Sequence, residues 1–436
     1  METIKQKRII FFILTIIGAY MVLFWSINIE NYTLKVFSYV SNPTPYTDYI
    51  IGLIVYVCIT FLVFLTKNRA YFIIWNIKAF ITLVFMITYE HMYWLDAYGY
   101  YSVAISDHYN SFFNADGTHN MKYLNYLFTY IVGNSYYSLK LLNSFIGFLA
   151  ILLFYKSYLI IMNKLSLKVE KNFIYWLFLL PSILFWSSIM GKDPMNLFFT
   201  SVFTYSFIHL LIKFKLRYII FIGLSMFLVG FVRPWFTMIY LFTIIFYYLK
   251  LTDIKQIILA FLLAPVGYIM LMSFLHKFGV DSIDALFLGM STVAKNMAYG
   301  GSSTSVAEIR GFGDYLIYFI PNFITAVFRP LLFDARNPFT ALAAIENTIL
   351  IYMFYKYILK NFILIYQNKY MKFLMVYILA WSLFYVILSP GNLGMAVRFK
   401  LQILPAMMLL IFISRSIVLA KDKKDTFATN YVKIDN

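Results

Sequence analysis

Apolar segments long enough to cross a bilayer recur along this chain, and that recurrence limits the fold more than any other feature. The clearest reads SLKLLNSFIGFLAILLFYKSYLIIM over residues 138 to 162. Others cover about 9 to 27, 49 to 65, 71 to 89, 173 to 190, 195 to 212, 218 to 232, 235 to 249, 256 to 275, 340 to 356, 373 to 389 and 401 to 419. A hydrocarbon layer about 30 Å thick takes roughly 20 helical residues, so the pattern predicts about twelve transmembrane helices. With 62% hydrophobic residues, 46 Phe and 38 Tyr in 436 residues, a single soluble core has no room for the apolar side chains. The expected fold class is an all-α integral membrane protein, one polytopic domain over 1–436.

The net charge is +17. In a soluble protein that excess points to nucleic acid, but here the basic residues stand in short clusters between the apolar runs. The clusters are Lys5, Lys7 and Arg8; Lys67 and Arg69; Lys164, Lys168 and Lys171; Lys213, Lys215 and Arg217; Lys250 and Lys255; Lys356, Lys360, Lys369 and Lys372; and Arg415, Lys421, Lys423 and Lys424. With alternating spans all of them fall on one side of the membrane, as the positive-inside rule requires. No nucleic-acid partner is expected. Both termini are expected in the cytoplasm. The basic start METIKQKRII lacks a small-x-small cleavage site, which predicts a retained first helix. One cysteine, Cys58, leaves no intramolecular disulfide to form.

In this orientation the long polar segments 28–48, 90–137 and 276–339 are external. Loops 90–137 and 276–339 are the two large ones, and 315–328 within the second reads as a re-entrant or interfacial segment. The first large loop carries Glu90, Asp96, Asp107 and Asp116 with His91, His108 and His119. Glu90 and Asp96 directly follow an apolar run, where partial desolvation suits a carboxylate to act as a general base. Asp96 also lies among Trp94, Tyr98, Tyr100 and Tyr101, an aromatic setting suited to an interface belt or to stacking a sugar ring. The histidines have no tight metal-ligand spacing, so zinc is disfavoured; a divalent cation loosely held by carboxylates is the cofactor these residues would allow.

Against the inside bias, Lys192, Arg233, Arg329, Arg336, Arg398 and Lys400 fall at outer helix ends. Three of these cations stand beside a helix-interrupting proline, in Lys192-Asp193-Pro194, Arg233-Pro234 and Arg329-Pro330. Guanidinium and ammonium groups at headgroup depth suit phosphate or pyrophosphate. The plainer reading is that each snorkels or caps a helix C-terminus. In GKDP the glycine and proline make the turn and Asp193 is suited to cap the next helix, which leaves Lys192 facing the headgroup layer.

Four stretches carry a resemblance: Asp96 with its tyrosine-rich continuation, LPSILFWSSIMGKDP from Leu180 to Pro194, FRPLLFDARNPFTALAAIEN from Phe328 to Asn347, and GNLGMAVRFKLQILP from Gly391 to Pro405. Together they resemble bacterial membrane glycosyltransferases of the GT-C type and the related O-antigen (Wzy-type) polysaccharide polymerases, over residues of about 90 to 410. Asp96 lacks the adjacent acid that many GT-C enzymes show. The resemblance implies a GT-C-like fold in the bacterial inner membrane. It also implies a transferase that joins saccharides carried on polyprenyl phosphate or pyrophosphate at the outer face, working with other polysaccharide-assembly proteins.

In that reading Asp96 and Glu90 are the catalytic candidates, and Lys192, Arg233, Arg329, Arg336, Arg398 and Lys400 bind the phosphate. The chain has neither GxxxxGK[ST] nor a Rossmann fingerprint, which fits a lipid-linked donor rather than a nucleotide. Two alternatives stand beside the polymerase: a transferase moving one sugar, and a flippase for lipid-linked oligosaccharide. A flippase is expected to carry charges at mid-membrane, and Lys78 is the clearest such residue.

Overall fold

A computed structural model describes residues 16, 45–93, 96–105, 117–249 and 280–432. The regular structure among those residues is helical, with no strand and one isolated bridge between Ser303 and Asn392. Among them, five helices are long and apolar enough to cross a membrane: Tyr136–Lys164, Lys192–Ile212, Pro338–Gln367, Lys369–Leu388 and Leu404–Lys421. Shorter apolar helices cover Ile50–Leu65, Leu216–Val232, Trp235–Tyr248 and Phe312–Phe328. Many of their large apolar side chains face outward, among them Ile54, Phe61, Ile220, Phe227, Ile320 and Tyr352. In a chain of such length only a lipid environment makes that arrangement favourable. The chain is a helical membrane protein. The expected spans at 9 to 27 and 256 to 275 lie outside the described residues.

The chain divides into two compact units, one formed by Met1–Leu159 and Glu170–Thr237, the other by Ile160–Val169 and Met238–Asn436. In the first unit, α1 (Pro45–Leu65) leads to α2 (Arg69–Phe80), whose start is capped by the Asn68 side chain accepting from the Ala70 and Tyr71 amides. A π-helical turn, Ile81–Phe85, joins α2 to α3 (Met86–Tyr93) without a break in the chain's helical course. Residues 75, 78, 79, 82, 83, 86 and 90 are all buried, so this long helix turns one stripe inward. Because of that spacing Lys78, Thr82 and Glu90 are buried alongside Trp75 and Met86.

The stretch expected as an external loop is substantially helical. It contains α4 (Ala97–Ala104) and α5 (Gly117–Val132), followed by the long α6 (Tyr136–Lys164). Where one continuous span is expected at 173 to 190, the helix is broken. Residues Phe173–Leu179 form α7 and Pro181–Trp186 form α8, and Leu180 between them leaves the helical region at φ −57°, ψ 123°. The cause is local, since a residue before proline clashes with the proline ring in the α conformation. The unit continues with α9 (Lys192–Ile212), α10 (Leu216–Val232) and the start of α11 (Trp235–Tyr248). Two glycines allow backbone to approach backbone. A Cβ at Gly117 would lie 2.1 Å from the Val232 carbonyl oxygen, and one at Gly147 would lie 2.3 Å from that of Ser187.

The second unit holds α12 (Ile283–Asn296), α13 (Phe312–Phe328), α14 (Pro338–Tyr357), α15 (Phe362–Gln367), α16 (Lys369–Leu388), α17 (Leu393–Lys400) and α18 (Leu404–Val432). The segment 315–328, expected as re-entrant or interfacial, lies within the 17-residue α13. On α16, Trp381 stacks on Tyr385 at 4.5 Å and donates its indole N–H at 2.7 Å to the Oε1 of Gln402, between α17 and α18. Tyr385 meets Phe399 of α17 at 5.0 Å. Asn392 starts α17 by accepting from the Gly394 and Met395 amides, while its own amide donates to the carbonyls of Met297 and Tyr299. One asparagine therefore caps a helix and ties down the chain that leaves α12.

Candidate functional site

In the first unit one packed cluster organises most of the polar chemistry. Ala97, Tyr100 and Tyr101 of α4 meet Met121 of α5, Leu139 of α6, Met190 and Met195 around the GKDP turn, and Val232 at the end of α10. Several polar groups of this unit are near neighbours in the chain of these residues. Asp96 directly precedes Ala97 and is exposed; its backbone carbonyl begins α4, but its side chain makes no capping bond. Lys192 and Asp193 lie between Met190 and Met195, and Arg233 follows Val232. Lys140 follows Leu139 and binds Glu90.

The ion pair in GKDP has a partner that its sequence neighbourhood does not reveal. Asp193 is fully buried, and its Oδ1 accepts from the Arg233 guanidinium at 2.5 Å. The expected cap is therefore not formed: Gly191 holds the N-cap position of α9, and the aspartate turns toward α10 instead. Gly191 has φ +157° and the Tyr100 ring beside it, so the turn passes close under α4. Lys192 donates from Nζ to the Thr118 hydroxyl oxygen at 2.7 Å. Asn120, on the same turn of α5, donates to the Phe231 carbonyl at 2.8 Å and fixes α5 against the end of α10.

Glu90 is buried one helical turn inside α3 rather than following the helix into solvent. Its Oε2 accepts from the Tyr136 hydroxyl at 2.7 Å and from the Lys140 ammonium. Its Oε1 is buried without a hydrogen-bond partner among the described residues. Lys78 is also wholly buried and donates to the hydroxyl oxygens of Ser187 at 2.6 Å and Ser188 at 2.8 Å. Below it in the same stripe, Thr82 donates to the Ser144 hydroxyl oxygen at 2.7 Å.

The remaining four cations of the sequence set belong to the second unit. Arg329 and Asp334 form a two-point pair, with Nε donating to Oδ2 at 2.9 Å and a terminal nitrogen to Oδ1, while the Leu331 amide adds a bond to Oδ2 at 2.8 Å. Arg336 is exposed. Lys400 is fully buried and donates to the Asn347 Oδ1, while the amide nitrogen of Asn347 donates to the Pro330 carbonyl at 2.9 Å. Arg398 is buried two residues before Lys400. The RPLLFD…IEN and VRFK stretches, more than fifty residues apart in sequence, are thus brought together within this unit.

The Arg329 guanidinium and the Leu331 amide hold the Asp334 carboxyl below the ordinary carboxylate range. Since the folded group titrates below the unfolded one, the stabilisation is complete above that range and is lost as pH falls through the folded value. We expect the melting temperature to drop on acidification below about pH 4, and Asp334→Asn to start lower at neutral pH and fall less steeply. Thermal unfolding across that range checks this; parallel curves for the two proteins would contradict it.

Among the described residues no three His, Cys, Asp or Glu side chains group to hold a metal ion. Asp107, His108 and Asp116 lie outside the described residues, as does the side chain of His91. No protein-family model, curated protein or solved structure matches this chain. Its chemistry has to be read from its own geometry.

Several of the residues that now matter most were not singled out in the sequence. Lys140 stands inside an expected span, and a cation in an apolar helix is a functional signal by default. Asn143, Asn196 and Asn347 gave no comparable signal, because an amide shifts hydropathy little and its burial depends on which helix faces it.

Proposed function

We propose that this chain transfers a saccharide, or a growing saccharide chain, from a polyprenyl phosphate or pyrophosphate to an acceptor hydroxyl at the outer face of a bacterial inner membrane, with both termini in the cytoplasm. The observation that carries this reading is the rim of the first unit's cluster, where an exposed carboxylate (Asp96), a cation on a hydroxyl (Lys192) and a buried acid–base pair (Glu90 and Lys140) surround tyrosines. In the proposed reaction Asp96 takes the proton of the acceptor hydroxyl. The acceptor oxygen bonds to the anomeric carbon as the bond from that carbon to the phosphate oxygen breaks, and the electron pair leaves with the polyprenyl phosphate. Lys192 neutralises the charge that develops on that leaving group. Arg233, already committed to Asp193, holds the turn that presents Lys192. Polymerisation is the favoured form of the reaction, with single-sugar transfer by the same chemistry as its alternative.

A second reading, a flippase for the same lipid-linked saccharides, draws on the burial of Lys78, Lys140 and Glu90 within helices. One experiment separates the two. The full chain is reconstituted in liposomes with a labelled polyprenyl-pyrophosphate-linked saccharide. The proposed enzyme lengthens or transfers the glycan and releases polyprenyl pyrophosphate in proportion. A glycan that stays unchanged on its lipid but appears in the opposite leaflet would overturn the transferase and establish the flippase.

A further inference from the structure

The helix that starts at Asp96 packs on a tyrosine from another helix. Tyr98 and Tyr101 of α4 have ring centres 6.3 Å apart, and the Tyr136 ring at the start of α6 meets both, Tyr98 at 6.1 Å and Tyr101 at 5.2 Å. The three rings close on one another in the tilted and edge-to-face arrangements that aromatic side chains prefer. Tyr101 is buried while Tyr98 and Tyr136 are half-buried, so the trio runs from the packed cluster to its rim.

The other end of Tyr136 is fixed by charge. Its hydroxyl donates to the Glu90 Oε2 at 2.7 Å. The Lys140 ammonium, one turn further along α6, donates to the same oxygen and stands 5.1 Å from the centre of the Tyr136 ring. Glu90 and Lys140 are both buried, and a hydrogen bond to an ionised group is about twice as strong as one between neutral groups. Tyr136 thus joins the ion pair between α3 and α6 to the aromatic face of α4.

With eight residues, α4 is too short to hold its shape without packing. Whatever places α4 therefore places Asp96, whose carbonyl accepts from the Tyr100 amide at 3.0 Å in the first bond of the helix. The Tyr100 ring in turn lies against Gly191, in the turn that carries Lys192. We propose that Tyr136 is the positioning residue for Asp96: its hydroxyl, anchored on Glu90, sets the ring on which α4 packs, and so sets where the helix presents its carboxylate. The proposal rests on the transferase reading, in which Asp96 takes the acceptor's proton. It gives the buried pair of Glu90 and Lys140 the task of holding Tyr136.

Tyr136→Phe keeps the ring and removes only its bond to Glu90. Tyr98→Leu cuts the same ring contact from the α4 side, so the test stands if one of the two variants fails to fold. Each is made in the full chain, alone and together with Asp96→Asn, and reconstituted in liposomes with a labelled polyprenyl-pyrophosphate-linked saccharide. Values of kcat and KM are taken per folded molecule. We expect Tyr136→Phe and Tyr98→Leu each to lower kcat about tenfold while KM for the donor stays within about twofold. Added to Asp96→Asn, neither should slow transfer further, because a residue that acts through Asp96 then has nothing left to place. A merely structural role would lower the rate by the same factor whether or not Asp96 is present. That additive result, or wild-type kcat in Tyr136→Phe, would overturn the positioning role and leave the transferase standing. A wild-type chain that transfers nothing would remove the transferase and this role with it.

Discussion

Asp193→Ala is expected to destabilise the chain by more than about 1 kcal/mol, because it removes the buried carboxylate that the Arg233 guanidinium binds. Both side chains are nearly or wholly buried, at 0% exposure for Asp193 and 6% for Arg233, so solvent cannot take over the missing contact. Arg233→Met takes the guanidinium from the buried Asp193 carboxylate and is also expected to destabilise the chain. The double variant Asp193→Leu with Arg233→Met removes both charges and should be more stable than either single, since an apolar pair avoids the desolvation penalty that an ion pair only balances. Thermal unfolding of the four proteins in one detergent measures the cycle. Additive losses, with the double variant worst of all, would mean that the contact carries no coupling energy. The functional expectation differs in sign. The double variant, though folded, should lose transfer activity, because the turn that presents Lys192 beside Thr118 is no longer tied to α10.

How far the sequence reveals this arrangement depends on which force decides each residue's place. Helix positions were legible because apolar periodicity decides them: the expected segments 49 to 65, 138 to 162, 195 to 212, 218 to 232 and 373 to 389 each fall within a helix of the structure or extend one by a residue. The break at Leu180 was also present in the sequence as Leu-Pro, but a hydropathy window averages across a single backbone clash. Glu90 was placed at a helix end because the apolar run stops there, yet α3 continues to Tyr93 and Lys140 supplies a partner that makes burial tolerable. Charge pairing of this kind joins residues fifty positions apart and leaves no periodic trace. Asp193 shows the same limit. Ahead of an apolar run it has the composition of a cap, and only the approach of α10 makes it half of an ion pair. The polar groups of Asn143 and Asn196 were the least legible, since nothing in a single sequence separates a buried amide from one that faces its neighbours' backbone.

Asp96 offers the most direct test of the proposed chemistry, because its side chain is exposed at the start of α4. Surface substitutions of this kind change stability by about 0.5 kcal/mol or less, whereas loss of a general base lowers rate by about 10²-fold or more. The measurement is the rate of glycan transfer from a polyprenyl-linked donor by reconstituted Asp96→Asn, at matched protein and with its melting temperature recorded beside the wild type. The account predicts an unchanged melting temperature with transfer reduced about 10²-fold or more. Transfer at close to the wild-type rate would contradict it, and would remove Asp96 as the group that takes the acceptor's proton.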